Sequence, residues 1–222
     1  MTDASAKKRV LIVDDHPIVR HGLAQLIDRE PDLAVCGEAA DHGEALEVLA
    51  SSSPDVALVD ISLKDSSGLN LIKDISEQYA NLPVLVLSMH DESLYAERAL
   101  RAGARGYIMK EQADESVVDG LRKVLDGELC VSEELQKRML RQYIGHPESD
   151  AAYPAMDNLS DRELEVFECM GQGLSTQKIA EKLSLSAKTV EVHRTHIKKK
   201  LNIEDSAQLM REAVRWVERG AI

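Results

Sequence analysis

Two patterns of apolar residues divide the chain. In the first half, short aliphatic or β-branched runs, VLIVDD (10–15), VALVD (56–60), VLVLS (84–88) and GYIMK (106–110), alternate with segments whose apolar residues recur at helical spacing. Val19, Leu23, Leu26 and Ile27 make one such stripe, and Val117, Leu121, Val124 and Leu125 another. The pattern predicts strands at 9–14, 33–38, 55–60, 83–88 and 106–109, each followed by a helix, at 17–29, 41–51, 67–79, 92–102 and 113–126. Five strand-then-helix repeats imply a doubly wound α/β fold: a five-stranded parallel sheet with helices on both faces.

Beyond these repeats the periodicity is helical only. A helix is expected from about Ser132, a plausible N-cap, to Ile144, followed by GHPESDAAYPAMDN (145–158), whose two prolines and lack of periodicity suit a flexible linker. Ser160 and Glu163 form a capping-box signature for a helix to Met170, stopped by Gly171 and Gly173. Further helices are expected at Ser175–Leu183, Ser186–Leu201 and from Asp205 to about Arg219, a small all-α domain. The short helix, brief turn and longer helix have helix-turn-helix spacing.

Parallel strands deliver their last residues to one edge of the sheet, where open α/β sheets hold their chemistry. Here those residues are Asp14 and Asp15, Asp60, Ser88 and Lys110. Three carboxylates together repel one another unless a cation sits among them, and a hard oxygen site of this kind suits Mg²⁺. A carboxylate beside Mg²⁺, a lysine and a hydroxyl is equipped to attack a phosphoryl donor. Lys110 and the metal would offset oxygen charge, and Ser88 would hydrogen-bond an aspartyl phosphate on Asp60.

Charge separates the two halves. Net charge is −12, yet residues 155–222 hold 11 basic and 11 acidic side chains, so the remaining 16 basic and 28 acidic residues carry the whole excess. Such asymmetry points to different partners for the two parts. Within 186–201, five basic residues (Lys188, Arg194, Lys198, Lys199, Lys200) face one acid, Glu191. On a helical wheel Val190, Ile197 and Leu201 share one face, while Lys188, Val192, Thr195 and Lys199 lie nearly opposite. An outward valine and threonine framed by lysines fits a reader of the DNA major groove: methyls against thymine, a hydroxyl to a base edge, ammonium groups to phosphate or guanine. Glu191 would either accept from cytosine or restrain a lysine, the latter being favoured.

The other composition signals are bland. No apolar stretch approaches the ~18 residues of a membrane span, and MTDASAKKRV lacks a signal-peptide core, so a soluble cytoplasmic protein with no membrane partner is expected. Cys36, Cys130 and Cys169 are far apart and in apolar contexts, as buried thiols in a reducing compartment would be.

These motifs carry a specific resemblance. Residues 7 to about 127 resemble the flavodoxin-like receiver domain of two-component response regulators: DDHP (14–17) matches its acidic metal pair, Asp60 its phosphoacceptor, and Ser62 the position whose main-chain carbonyl completes the metal shell. Ser88 and Lys110 match its switch hydroxyl and signature lysine, and Gly68 the glycine after the phosphoacceptor loop. Tyr107 matches the aromatic switch, although by its own pattern it is equally a strand aromatic. Lys64 and Glu111 depart from the prolines common at their positions. LSDRELEVF, GLSTQKIAEKL and SAKTVEVHRTHIKKKL resemble a LuxR-type output domain, and the order matches the NarL/FixJ group.

The resemblance implies a receiver at 7–127, a linker helix and flexible linker at 128–158, and a helix-turn-helix DNA-binding domain at 159–222. Candidate DNA contacts are Thr176, Lys188, Thr189, Glu191, Val192, Thr195, Lys199 and Lys200. It also implies double-stranded DNA and a sensor histidine kinase as partners, RNA polymerase as a further one, and a homodimer on phosphorylation. Dimerisation would use the last helix around Leu209, Val214 and Trp216, with core packing the alternative for Trp216. A receiver modifies itself without turnover. Two other functions are compatible with parts of the sequence: a Mg²⁺-dependent phosphatase passing through aspartyl phosphate, and a constitutive DNA-binding regulator with a silent receiver. Ser62 stands where many such phosphatases carry an acid, and the intact acidic set argues against a silent receiver.

Overall fold

A computed structural model describes residues 6–63, 66–143 and 156–220. The chain divides into two compact units, Met1–Lys137 and Arg138–Ile222. Among the described residues no helix is long and apolar enough to cross a membrane.

In the first unit the apolar runs become β1 (Lys8–Val13), β2 (Leu33–Ala39), β3 (Val56–Val59), β6 (Val84–Ser88) and β7 (Gly106–Met109), a parallel sheet in the order β2-β1-β3-β6-β7. The helices are α1 (Pro17–Asp28), α2 (His42–Ser52), α3 (Gly68–Gln78), α4 (Glu92–Ala102) and α5 (Ala113–Leu125). Pro17 opens α1, where a missing N–H is harmless, and Asp41, Ser67 and Asp91 cap α2, α3 and α4 with side-chain oxygens.

Alternation along the strands assigns the faces. Val10, Ile12, Leu58, Leu85 and Leu87 pack with Leu23 and Ile27 of α1 and Val117, Leu121 and Val124 of α5 in one core. Burying a leucine or valine side chain contributes roughly 1.5–3 kcal/mol, so this layer is the main source of the unit's stability. The strand order reverses between β1 and β3, the point at which a doubly wound sheet opens a crevice beyond its carboxyl edge.

Two features were not visible in the periodicity. A two-stranded antiparallel hairpin, β4 (Ser62–Leu63) with β5 (Ser66–Ser67), lies between β3 and α3. Lys64, where the family resemblance breaks, lies outside the described residues. Cys130 also forms a bridge to Gly106, its N–H donating to the Arg105 carbonyl and its carbonyl accepting from Tyr107. The expected helix after Ser132 is α6 (Glu133–Tyr143), with Ser132 Oγ accepting from Leu135 N at 3.2 Å. The linker assigned to 145–158 lies outside the described residues as far as 155. Its last three residues, Met156–Asn158, instead form a 3₁₀ turn, because Met156 is buried and its carbonyl accepts from Leu159 N.

The second unit contains α7 (Asp161–Gly171), α8 (Thr176–Lys182), α9 (Ala187–Lys200) and α10 (Ser206–Gly220). Ser160, Ser175 and Ser186 each cap the helix they precede, and Ser160 with Glu163 completes the capping box. The core gathers Leu164, Phe167, Met170, Ile179, Val190, Ile197, Leu209, Ala213 and Trp216, with the Phe167 and Trp216 rings 5.8 Å apart. Gly171 lets α10 approach closely: a Cβ there would lie 2.3 Å from the Ala213 carbonyl oxygen. Leu209 and Trp216 build the interior of their own unit, the core-packing alternative for Trp216, and Val214 is half-buried; an apolar stripe on a terminal helix is buried by the nearest apolar face, here α7.

Candidate functional site

Register brings the acidic residues together. Val13 pairs with Val59, and Asp60 N donates to the Val13 carbonyl at 2.8 Å, so the residues just beyond β1 and β3 are neighbours. Ser88 pairs with Met109, which places Lys110 one residue past the same edge. Lys110 Nζ lies 2.5 Å from Asp14 Oδ2 and 2.6 Å from Asp60 Oδ2, with Asp14 and Asp60 only 2% and 3% exposed. The loop behind Asp60 passes so close that only glycine fits at 68: a Cβ there would stand 2.0 Å from the Asp60 carbonyl oxygen.

One ammonium does not neutralise this cluster. Burial pushes the Asp60 carboxyl up to about 6; attraction to Lys110 and the Ser62 N–H opposes the shift, and repulsion by Asp14 adds to it. Burial alone would lower Lys110, but Asp60 and Asp14 outweigh it and hold its pKa above the ordinary lysine value. Asp14, Asp15, His16 and Asp60 each offer a ligand atom within 4.8 Å of the others. Asp15 Oδ1 is buried without a hydrogen-bond partner, although the His16 ring lies 2.6 Å away. Three carboxylates and an imidazole gathered this closely, with one ammonium among them, are the donor set of a hard cation.

The remaining residues of this edge meet at His90. Ser88 is fully buried and its Oγ accepts from His90 N at 3.1 Å; Tyr107, 3% exposed, donates its hydroxyl to the His90 carbonyl at 2.8 Å. Ser62 N donates to Asp60 Oδ1 at 3.1 Å, while Ser62 Oγ lies 2.9 Å from His90 Nε2. Tyr107 is thus a buried aromatic, more enclosed than a half-exposed strand residue. His16 and His90 were absent from the sequence-derived set. Adjacency to the acidic pair could have signalled His16, but nothing in the periodicity marks His90.

On α9, Val190 and Ile197 are buried while Lys188, Val192, Thr195 and Lys199 are exposed, Val192 at 44%. Several of the proposed contacts are also engaged within the unit. Thr189 Oγ1 lies 2.7 Å from the capping Ser186 Oγ, and Thr195 Oγ1 donates to the Glu191 carbonyl at 2.9 Å. Glu191 Oε1 accepts from Thr176 Oγ1 at 2.8 Å and from Arg194 at 2.9 Å. The residue that Glu191 restrains is therefore Arg194, not a lysine, because i,i+3 spacing on a helix brings them together. Lys200 turns to Glu163 of α7 at 2.7 Å. The three thiols are free, and burial pushes Cys169 up to about 11, so it packs rather than reacts.

Both units match known protein families. Residues 10–122 match the response regulator receiver domain family, and residues 157–213 match the luxR family of bacterial regulatory proteins. The oxygen regulatory protein NreC of Staphylococcus haemolyticus is 36% identical over 210 residues, covering 93% of this chain and 97% of NreC. A structure of RcsB from Salmonella enterica serovar Typhimurium bound to promoter rprA in the presence of phosphomimetic BeF3⁻ is similar with a TM-score of 0.58 and 26% identity, covering 92% of this chain and 97% of that one. Another, of two RcsB dimers bound to two parallel DNAs, gives a TM-score of 0.55 at 26% identity, covering 92% and 97%.

Proposed function

The chain belongs to the response regulators in which a receiver domain precedes a LuxR-type DNA-binding domain, and on that premise we propose that a phosphoryl group on Asp60 controls its binding to DNA. The observation that carries this reading is the position of Asp60: 3% exposed, at the switch point of the sheet, beside the acidic pair and bridged to Asp14 by Lys110. We take the receiver as 7–127, the linker region as 128–158 and the DNA-binding domain as 159–222.

A carboxylate oxygen of Asp60 attacks the phosphorus of a phosphohistidine on a sensor kinase, or of a small acyl phosphate. A P–O bond to Asp60 forms, and the bond to the leaving nitrogen or oxygen breaks with its electron pair going to that atom. Lys110 offsets the added oxygen charge, and the Ser88 hydroxyl, which accepts from His90, keeps its own proton to donate to a phosphoryl oxygen. Asp14, Asp15, Asp60 and the Ser62 carbonyl would hold Mg²⁺, and the clustering of the three carboxylates within 4.8 Å fits that role. Such a cation, when bound, neutralises charge on carboxylate and phosphoryl oxygens. The chain is consumed as substrate and acceptor, with no turnover of a separate molecule.

In the output domain α9 would enter the major groove, Val192 and Thr195 meeting base edges and Lys188 and Lys199 the phosphates. Thr176, Thr189 and Glu191 stand beside that surface, and Lys200 stands behind it. That RcsB binds DNA as dimers supports a homodimer on duplex DNA for this chain; that phosphorylation favours the dimer, that the chain acts in the cytoplasm and that it contacts RNA polymerase belong to the same proposal. Incubation with Mg²⁺ and acetyl phosphate tests the reading: one phosphoryl group per chain on Asp60, a shift in oligomeric state and tighter duplex binding are expected. Label on another residue, or label without change in DNA binding, would refute it.

A further inference from the structure

Between the end of β6 at Ser88 and the start of α4 at Glu92, Met89 faces solvent, 62% exposed, while His90 turns inward. Four of the contacts of His90 run in different directions. Its N–H donates to Ser88 Oγ and its carbonyl accepts from Tyr107, bonds that the main chain of any residue can make. The ring contacts are particular to histidine: Nε2 hydrogen-bonds Ser62 Oγ at 2.9 Å, and the imidazole stacks on Tyr95 of α4, centroids 4.3 Å apart and planes 26° apart. Tyr95 is fully buried, so a shift of the imidazole presses on a side chain that has no free space.

We infer that the His90 side chain is a positioning residue that carries the state of Asp60 to α4. The inference rests on Asp60 being the phosphoacceptor. A phosphoryl group adds about −1.5 to −2 charge and three acceptor oxygens beside two donors, the Ser62 N–H and the Ser88 hydroxyl. Both serines are hydrogen-bonded to His90, one through the ring and one through the main chain. Drawing either toward the phosphoryl group displaces the imidazole, and α4 follows through Tyr95. The side-chain route from Asp60 through Ser62 and His90 to Tyr95 runs beside the main-chain route from Ser88 through His90 to Tyr107.

Variants divide the route into its parts. His90→Ala removes both ring contacts, His90→Phe keeps the stack and loses the hydrogen bond, and His90→Gln keeps a hydrogen-bonding group and loses the stack. With acetyl phosphate and Mg²⁺, each is measured for phosphoryl uptake, for the phosphorylation-induced change in amide exchange over 92–102, and for the gain in affinity for a duplex selected with the wild-type chain. His90→Ala is expected to take up phosphoryl to the wild-type stoichiometry, to lose the change in α4 exchange, and to lose roughly fivefold of the affinity gain. Partial rescue by Phe and by Gln is expected. A merely structural role would shift α4 exchange equally in both states and leave the difference intact. His90→Ala with the wild-type exchange difference and affinity gain would overturn the inference alone; a wild-type chain that takes up no phosphoryl would overturn the function on which it rests. Should His90→Ala fail to fold, Ser62→Ala removes the hydrogen-bonded leg, and full retention of both responses there would also be disproof.

Discussion

Lys200, at the last turn of α9, reaches Glu163 on α7, Nζ standing 2.7 Å from Oε2. The same carboxylate oxygen accepts from Ser160 N at 2.7 Å, so the capping-box acid also clamps the far end of the proposed reader helix. Burial by itself would raise the Glu163 pKa, but the Lys200 and Ser160 bonds overcome it and hold the carboxyl below its ordinary value. Lys199, one residue earlier, is exposed.

Adjacent lysines should therefore behave differently. Lys200→Met is expected to lower the stability of the helical unit by about 1 kcal/mol, a figure already discounted for a lysine side chain that is 39% exposed. Lys199→Ala should leave stability unchanged and reduce the salt slope of DNA binding by ~1. Urea denaturation followed at Trp216, with salt titrations on duplex DNA, checks both; equal stability losses would show that the Glu163 contact is not the distinguishing feature.

Acid should destabilise the helical unit in two steps. Burial holds His193 below the ordinary histidine value of 6.5, and Arg162 and His196 add to this against Glu163. The unfolded chain binds that proton more readily, so His193 stabilises the fold above 6.5 and the contribution is lost as pH falls through the folded pKa. Glu163, also lowered, contributes above the ordinary glutamate value of 4.5, and that contribution is lost on further acidification. Trp216 is the only tryptophan, so its fluorescence reports this unit. Urea midpoints should fall from pH 7.5 to 5 in the wild type and less in His193→Gln; a flat profile would contradict the assignment.

Asp60→Asn should abolish phosphoryl uptake yet stabilise the metal-free receiver. Asp60 is raised from 3.8 to about 6, so the folded state binds its proton more tightly and loses stability as pH rises through 6. An amide avoids that ionisation, and a gain of roughly 1–2 kcal/mol at pH 7.5 is expected. Thermal melts in EDTA from pH 5 to 8, followed by circular dichroism, should show the two proteins converging at low pH; a constant difference would rule out ionisation as the cause.

Gly68→Ala is expected to destabilise the receiver by about 2 kcal/mol or more, since the new methyl would stand 2.0 Å from a carbonyl oxygen and 2.8 Å from the Ile61 Cα. Gly22, inside α1 with nothing within 4 Å, is the control: Gly22→Ala should stabilise by ~0.5–1 kcal/mol. A similar effect of both changes in chemical denaturation would show that contact does not set the cost.

Val192→Ala and Thr195→Ala should lower the ratio of cognate to random duplex affinity, by ~1–3 kcal/mol for a lost base contact, with little change in salt slope. Titrations on a selected site and a random duplex decide it, and equal losses of Val192→Ala on both would remove Val192 from the base-reading face.

Sequence alone determined the elements and their chemistry. Short continuous apolar runs that end in Asp14, Asp60, Ser88 and Lys110 must carry those residues to one edge once the strands are parallel, and the Ser160–Glu163 spacing places a helix start by local hydrogen bonding. What the tertiary structure decided is which polar group satisfies which. Glu163 takes Lys200, 37 residues away, and Glu191 takes Arg194 and Thr176; Leu209 and Trp216 face inward; and Ser62, Ser88, Tyr95 and Tyr107 converge on His90. Periodicity records only the face on which a side chain lies, because it arises from the backbone's own geometry. The partner on that face depends on how helices and loops distant in sequence pack against it, and burial then makes each unsatisfied donor or acceptor costly enough to select one arrangement.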